Sequence, residues 1–331
     1  MTTRRDLLVL LGAAAIAPRI AHAQASPPAG RVRRIGFLHY GSRQLVLDTG
    51  RYEAFLQGMR ELGHIEGKHY AIEARFADSN ERIPGFIAEL IGLKVDLIVA
   101  TGSPIVLELK RADTAVPVVI AVSIDPVSLG VAASLGRPGG MFTGLTNLQL
   151  DLNPKHLELL LDLIPKLSRV AVLAYPSSQA RADQLRAVQS FAQQRHVQVI
   201  ATGVSAAEDL EPKFGSMVKE RAQAVLILGA TFVLQHVRRV AQLALKHRLP
   251  SIYQGKEFAE AGGLMSYGPD LLDNYRRAPA FVDKILKGAK PGEIPFEQPT
   301  RITMAINRKT AAALGIAIPQ ELLLRADKVI E

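Results

Sequence analysis

The feature that most constrains the fold is an alternation of short apolar runs and amphipathic stretches, which occurs twice along the chain. In the first half the runs rich in branched residues are 34–38, 70–76, 95–100 and 117–122, and the helical patterns are 51–62 and 83–93. Near-continuous apolar runs of this kind are typical of parallel strands covered on both faces of a sheet. The first half is therefore predicted to form a doubly wound α/β lobe.

The second half repeats this organisation. Its predicted strands are 169–174, 197–202, 224–228 and 250–253, and its predicted helices are 180–194, a stretch ending at 220, and 232–247. The run 94–99 corresponds to 223–228, and 116–120 corresponds to 249–253 after one intervening helix. The fold class is therefore α/β with two doubly wound, Rossmann-like lobes.

The remainder of the chain is too short for a third lobe. It contains a predicted strand at 264–267, a helix at 271–286, a strand at 301–306 and a closing helix. We expect residues 31–146 with part of 264–331 to form the N-terminal lobe, and residues 147–263 with the rest of 264–331 to form the C-terminal lobe. Several crossings between lobes make a hinge with a cleft beside it.

The first residues have the pattern of a bacterial export signal. Arg4 and Arg5 precede an apolar run over 7–17, and small residues follow at Ala21 and Ala23. Paired arginines before a weakly apolar core favour the Tat route. A membrane anchor is the alternative, but the run is shorter than the roughly 20 apolar residues that a bilayer requires. Cleavage is predicted after Ala23, with Ala25 as the alternative site, and the mature protein is predicted to be periplasmic.

Composition excludes several function classes. The chain has no cysteine and no tryptophan, and its net charge of +9 comes from scattered basic residues rather than a basic stripe. Nucleic acid is therefore not an expected partner, because net charge alone bears on solubility and association. Motifs for a phosphate-binding loop, a nucleophile elbow, a zinc site or a calcium loop are missing from the sequence. No metal, no cofactor and no catalytic residue are predicted.

The loop over 101–104 is the strongest candidate for a ligand site, because ligands of open α/β sheets bind at the carboxyl ends of strands. Ser103 is predicted as an N-cap and Pro104 as the first helical residue. Gly102 would let a ligand approach the backbone, and a helix N-terminus with the hydroxyls of Thr101 and Ser103 would hold a carboxylate. A plain helix cap without a ligand is the alternative.

Other loops supply further candidates. Asp125 follows the fourth strand and would bind an ammonium or hydroxyl group, or cap a helix that starts near Val127. Tyr267 lies at a predicted crossing, where it would form a wall of the cleft or pack in the hinge. The remaining candidate ligand-binding residues lie near the ends of other predicted strands: Ser42, Tyr175, Thr231 and Tyr253.

Several strings together resemble the ABC transporter substrate-binding family related to tryptophan/tyrosine-binding proteins. These strings are 95–104, 125–130, 137–145, 246–253, 260–270, 282–291 and 322–327. The resemblance implies a type I periplasmic binding protein, in which two lobes close on a small ligand and deliver it to an inner-membrane permease. It also implies that residues 101–103 hold a ligand carboxylate with Asp125 and Tyr267 nearby, and that the protein is a monomer.

Two loops differ from the family pattern, which places Asp-Pro and Trp-Asn-Pro where this chain has 229–232 and 174–176. Both lie on the side of the cleft that is expected to select the ligand. The predicted ligand is a small carboxylate-bearing molecule, either an amino acid or an aromatic acid. A ligand-presenting sensor for a membrane receptor is one alternative. An exported enzyme is another, although spacing alone does not assemble a nucleophile–base pair from His39, Ser103 and Asp125.

Overall fold

The computed structural model describes residues 31–147, 149–175, 179–229 and 231–331. The predicted export signal over residues 1–23 lies outside the described residues. The strands are β1 (Arg33–Tyr40), β2 (Tyr70–Ala77), β3 (Leu97–Thr101), β4 (Val118–Val122), β5 (Phe142–Gly144), β6 (Arg169–Ala174), β7 (Gln198–Gly203), β8 (Ala224–Ile227), β9 (Ser251–Tyr253), β10 (Met265–Pro269), β11 (Ile302–Asn307) and β12 (Lys328–Ile330). The helices are α1 (Arg43–Asp48), α2 (Arg51–Glu61), α3 (Ile83–Gly92), α4 (Ser103–Arg111), α5 (Gln149–Leu163), α6 (Gln179–Gln194), α7 (Leu210–Lys219), α8 (Thr231–Gln235), α9 (Val237–Lys246), α10 (Lys256–Glu260), α11 (Leu271–Leu286), α12 (Arg308–Leu314) and α13 (Gln320–Arg325).

The strands form two sheets with the same order in their parallel parts. The first sheet has the order β2-β1-β3-β4-β5 and is parallel throughout. In the second sheet, β7-β6-β8-β9-β10 repeat this order, and β11 and β12 extend the sheet beyond an antiparallel β10–β11 pair. The predicted fold of two doubly wound α/β lobes is therefore confirmed.

Apolar clusters cover both faces of each sheet, which explains the continuous apolar runs. On β1, Ile35 and Phe37 face one cluster of the first lobe, whereas Leu38 belongs to the cluster on the opposite face. In the second lobe, Val170 and Ala171 divide in the same way between two clusters. The alternating side chains of a strand thus meet helices on both sides of the sheet.

The chain passes between the two sheets three times: after β5, between β10 and α11, and before β11. Helix α11 packs against α2 and β4 of the first lobe, although the strands on either side of it in the sequence belong to the second sheet. The division into residues 31–146 and 147–263, each completed by part of 264–331, stays a prediction. Among the described residues, no helix has the length and apolar character needed to cross a membrane.

Several local predictions need correction. The helix predicted over 232–247 is divided at His236 into α8 and α9. The segment after Asp125 forms a turn rather than a helix starting near Val127. Strands β5 and β12 were not predicted, because each is three residues long and too short to show an alternating pattern.

Candidate functional site

A cavity of about 370 Å³ of empty space, part of it open to solvent, lies at the carboxyl ends of the first sheet's strands. Its first-lobe lining consists of His39, Tyr40, Leu45, Arg51, Thr101, Gly102 and Val122, together with Leu271 and Tyr275 of α11. Leu234 and Gln235 of α8 close it from the second lobe. Residues of both lobes therefore line this cavity.

The centre of the first-lobe wall lies at the topological switch point between β1 and β3. His39 and Thr101 are register partners on these strands, and the order 2-1-3-4-5 places ligands at this point. Thr101 Oγ1 lies 2.6 Å from His39 Nδ1, and Tyr275 Oη lies 3.3 Å from the same nitrogen. Burial, and secondly the charge of Arg51, lower the pKa of His39 to about 3. His39 is therefore a neutral, hydrogen-bonded imidazole.

An ion pair crosses from one lobe to the other beside the cavity. Arg51 Nη2 of α2 donates to Glu257 Oε1 of α10 at 2.8 Å, and the two side chains are 4% and 18% exposed. Burial by itself lowers the pKa of Arg51, but the Glu257 carboxylate and neighbouring groups outweigh it and raise that pKa. Arg51 therefore carries its charge inside the cleft, paired with a carboxylate of the other lobe.

The start of α4 differs from its prediction. Gly102, at φ 104°, is the N-cap, and Ser103 is the first helical residue rather than the cap. An N-cap requires a non-helical backbone, and this positive φ favours glycine. Ser103 Oγ lies 3.1 Å from Ser123 Oγ and accepts a long bond from Ile124 N at 3.4 Å. The Ser103 hydroxyl is thus engaged within its own lobe.

The second-lobe side of the cleft is aromatic. Tyr175, after β6, stacks on Phe232 of α8 with a centroid distance of 5.0 Å and an interplanar angle of 21°. Burial, and then the proximity of Tyr175, raise the pKa of Tyr40, which ends β1 across the cleft. Thr231 begins α8, and its side chain lies outside the described part of the chain.

The structure gives the other candidates local roles. Ser42 caps α1 by accepting from Leu45 N at 3.2 Å. Asp125 accepts from the backbone N–H groups of the turn that follows it, at 3.0 and 3.3 Å. Tyr253 is buried in the second-lobe core against Phe258.

Tyr267 packs edge-on beside the His156 ring, and its carbonyl lies 2.5 Å from His156 Nε2. Of the nine candidates, the described cavity lining includes Thr101 and Gly102. The ligand-binding roles of all nine candidates stay predictions.

Sequence reasoning missed Arg51 and Tyr275 as cavity residues. Arg51, Phe55 and Met59 are spaced by four residues and form the buried stripe of α2. A charged residue within such a stripe is rare unless it is paired. The spacing of Arg51 from the two core residues could therefore have identified it as a buried, paired side chain. Within the described ranges, no group of three or more His, Cys, Asp or Glu residues is placed to hold a metal ion.

The chain has relatives among known proteins. The family model described as ABC transporter substrate binding protein matches residues 47–330. A tyrosine-binding protein of Clostridioides difficile (strain R20291) is 24% identical over 282 residues, covering 83% of this chain and 80% of that protein. A Streptococcus pneumonia ABC domain in complex with L-Trp superposes with a TM-score of 0.83 at 23% identity, covering 91% of this chain and 100% of that one. The ligand-free, open structure of a substrate binding protein with adhesive properties from Clostridium difficile superposes with a TM-score of 0.68 at 20% identity. The match covers 90% of this chain and 99% of that one. The resemblance drawn from the sequence is confirmed.

Proposed function

The chain belongs to the ABC transporter substrate binding protein family, and from this premise we propose that it captures a small carboxylate-bearing ligand in the interlobe cavity. The ligand is an amino acid or an aromatic acid, and the loaded protein delivers it to a membrane permease from the periplasm. The relatives named above support this class, since one is a tyrosine-binding protein and another was solved with L-Trp.

The observation that carries the proposal is the position of the cavity. It lies at the β1/β3 switch point of the first lobe and is closed from the second lobe by α8, which follows β8 near the corresponding β6/β8 switch point. A ligand held there contacts both lobes only when they are together. Its binding free energy therefore favours the closed form over the open form.

The Arg51–Glu257 ion pair would act in the same direction. It joins α2 to α10 across the cleft, so opening the cleft would separate two charges that are shielded from water. A ligand and this pair together would stabilise the form that a permease recognises. Delivery requires only that docking on the permease favours the open form again.

Catalysis is not part of this function, since the family consists of binding proteins. The constellation considered for an exported enzyme also does not form. His39 contacts Thr101 and Tyr275 through Nδ1, Ser103 contacts Ser123, and Asp125 caps its own turn. A nucleophile and its base would have to be within hydrogen-bond reach of each other.

The test is a thermal-shift and calorimetric screen of protein recovered from the periplasm of an expressing cell. L-Tyrosine, L-tryptophan, other amino acids and aromatic acids are the ligands. A ligand at a hundredfold excess over its Kd adds about 2.7 kcal/mol to the free energy of unfolding and raises Tm. Intact mass also tests the export prediction, because cleavage after Ala23 leaves residues 24–331.

Thr101→Val is the informative variant, and Thr202→Val is its matched control on β7. The shift is expected to fall in Thr101→Val and to persist in Thr202→Val. An unchanged shift in Thr101→Val would place the site elsewhere. Failure of every amino and aromatic acid would contradict the ligand class, and binding without any dependence of uptake on the protein would favour the sensor alternative.

A further inference from the structure

Two nitrogen atoms at the first-lobe end of the cavity have no hydrogen-bond partner within the described part of the chain. They are His39 Nε2 and Arg51 Nε. Both side chains line the cavity and are 3% and 4% exposed. A buried polar group without a partner destabilises the folded protein, because it has lost its hydrogen bonds to water. Two of them beside one cavity indicate that a bound molecule supplies what the protein does not.

Arg51 Nε is a donor, because it always carries a hydrogen. For His39, the hydroxyls of Thr101 and Tyr275 both face Nδ1, at 2.6 and 3.3 Å. A hydroxyl can donate to a ring nitrogen, and when Nδ1 is the acceptor the neutral ring carries its proton on Nε2. In that tautomer His39 is oriented through one nitrogen and presents an N–H with the other.

Gly41 lies close against His39 Nε2. A Cβ added to Gly41, which has a φ of 135°, would lie 3.2 Å from His39 Nε2 and 3.5 Å from Leu45 Cδ2. A contact of 3.2 Å is tight, so a side chain at position 41 would crowd this nitrogen, which glycine leaves uncovered on that side. His39 and Leu45 both line the cavity.

We propose that His39 Nε2–H and Arg51 Nε–H together bind the carboxylate of the ligand. This inference rests on the proposed function and specifies its anchor. Two donors beside one cavity, one of them on a cation, suit the oxygens of a carboxylate, which accepts hydrogen bonds and donates none. The carboxylate is then held by His39 of β1 and Arg51 of α2. The hydroxyl of Ser103 is not needed, because it already contacts Ser123.

The two ring nitrogens of His39 can be tested separately. His39→Asn keeps a polar group near the position of Nδ1, facing Thr101, but removes the group at Nε2. His39→Gln places its amide near the position of Nε2 instead. If the donor binds the ligand, affinity for L-tyrosine or L-tryptophan falls roughly tenfold to a hundredfold in His39→Asn, since hydrogen bonds to charged groups contribute about 1.5–3 kcal/mol. His39→Gln keeps affinity within a few fold.

A second comparison tests the ligand group. L-Tyrosinamide and L-tryptophanamide, which lack the carboxylate, are expected to bind the unchanged protein at least tenfold more weakly than the acids, and to be indifferent to His39→Asn. His64→Asn is the matched control, because His64 pairs with Asp283 away from the cavity. Amides that bind as well as the acids would overturn the carboxylate anchor. So would a loss of affinity in His39→Gln with none in His39→Asn, because the role of His39 would then be to support Thr101.

A measurement that needs no ligand separates this inference from the proposed function. ¹⁵N NMR of the imidazole nitrogens at neutral pH reports which nitrogen of His39 carries the proton, assigned by comparison with His39→Gln. A neutral Nε2–H ring supports the anchor even if no amino or aromatic acid binds, in which case the ligand class is wrong. An Nδ1–H ring, whose Nε2 has no hydrogen to donate, overturns the anchor regardless of which ligand binds.

Discussion

The two lobes share one strand order but present different surfaces to the cleft. On the first lobe, His39, Thr101 and Tyr275 form a buried, hydrogen-bonded polar group between β1 and β3. On the second lobe, the equivalent positions after β6 and β8 carry the stacked rings of Tyr175 and Phe232. The shared topology determines where a ligand lies, and the side chains determine what each end of it meets.

This difference suggests a division of roles. Hydrogen-bonded polar groups on strand ends hold their geometry, which suits a group that every ligand of the protein carries. Aromatic rings on a short helix and a loop contact a ligand through shape and apolar area. A fixed anchor in one lobe and a selective surface in the other would let the ligand specificity change while the anchor stays the same.

The largest loss of stability is expected from disturbing the packing of α11 on α2 of the first lobe. In Gly58→Ala, the new Cβ of α2 would overlap the carbonyl oxygen of Arg276 and lie 2.9 Å from Pro279 Cγ. Since backbone cannot move aside as a flexible side chain does, we expect a loss of about 3 kcal/mol or more in the free energy of unfolding. Urea unfolding followed by circular dichroism measures it.

The same substitution in the second lobe is the control. Gly215 lies inside α7, and a Cβ added there would meet nothing within 4 Å. Gly215→Ala should therefore stabilise the protein by about 0.5–1 kcal/mol through helix propensity alone. Equal effects of the two substitutions would show that α11 is not packed closely on α2.

Much of this architecture could be predicted from the sequence, because parallel strands and amphipathic helices leave periodic patterns. Helix α11 begins and ends at the predicted residues 271 and 286. The single helix predicted over 232–247 was wrong, because a continuous amphipathic pattern does not record that the backbone breaks at His236. That break creates α8, which closes the cavity.

The site could be predicted only in part. Thr101 and Gly102 were identified because they follow a strand at the expected end of the sheet. Arg51 and Tyr275 are on helices 224 residues apart in the sequence, and they meet at the cavity only because α11 crosses back from the second lobe to pack on α2. No local pattern reports a juxtaposition that depends on a chain crossing.

The next largest effect is expected at the link between the lobes. Glu257→Ala leaves the buried charge of Arg51 without its carboxylate partner. Removing one partner of a buried ion pair lowers stability by about 3–5 kcal/mol. Because Glu257 is 18% exposed, we expect the free energy of unfolding to fall by about 3 kcal/mol. The loss should fall on the closed form, so the radius of gyration from small-angle scattering should increase.

Glu260→Ala is the control, since Glu260 pairs with Lys328 on the surface of the second lobe. Exposed pairs contribute about 0–1 kcal/mol, so neither stability nor radius should change appreciably. If Glu257→Ala left the radius of gyration unchanged, the Arg51–Glu257 pair would not be holding the lobes together.

The smallest of the three effects compares two buried histidines, one in each lobe. Burial, with Arg51 as a second cause, lowers the pKa of His39 to about 3, and burial lowers that of His156 to about 4. Unfolded histidine titrates near 6.5. Below that pH the unfolded chain binds protons that the folded chain does not, so stability is fully present above pH 6.5 and is lost as pH falls toward 4 and 3. Each histidine should therefore lower the free energy of unfolding by about 2 kcal/mol as pH falls from 7 to 5.

His39→Gln and His156→Gln should each remove about 2 kcal/mol of this pH dependence in urea unfolding curves recorded between pH 5 and pH 7. Replacing the exposed His196 in the same way should leave the dependence unchanged. The two buried residues differ in their surroundings: His39 lines the cavity, whereas His156 contacts the Tyr267 carbonyl through Nε2 inside the second lobe. A bound carboxylate should therefore alter the pH dependence that His39 contributes and leave that of His156 unaffected. If ligand changed the contributions of His39 and His156 to the pH dependence equally, His39 and its hydrogen-bonded neighbours would belong to the core and not to the binding site.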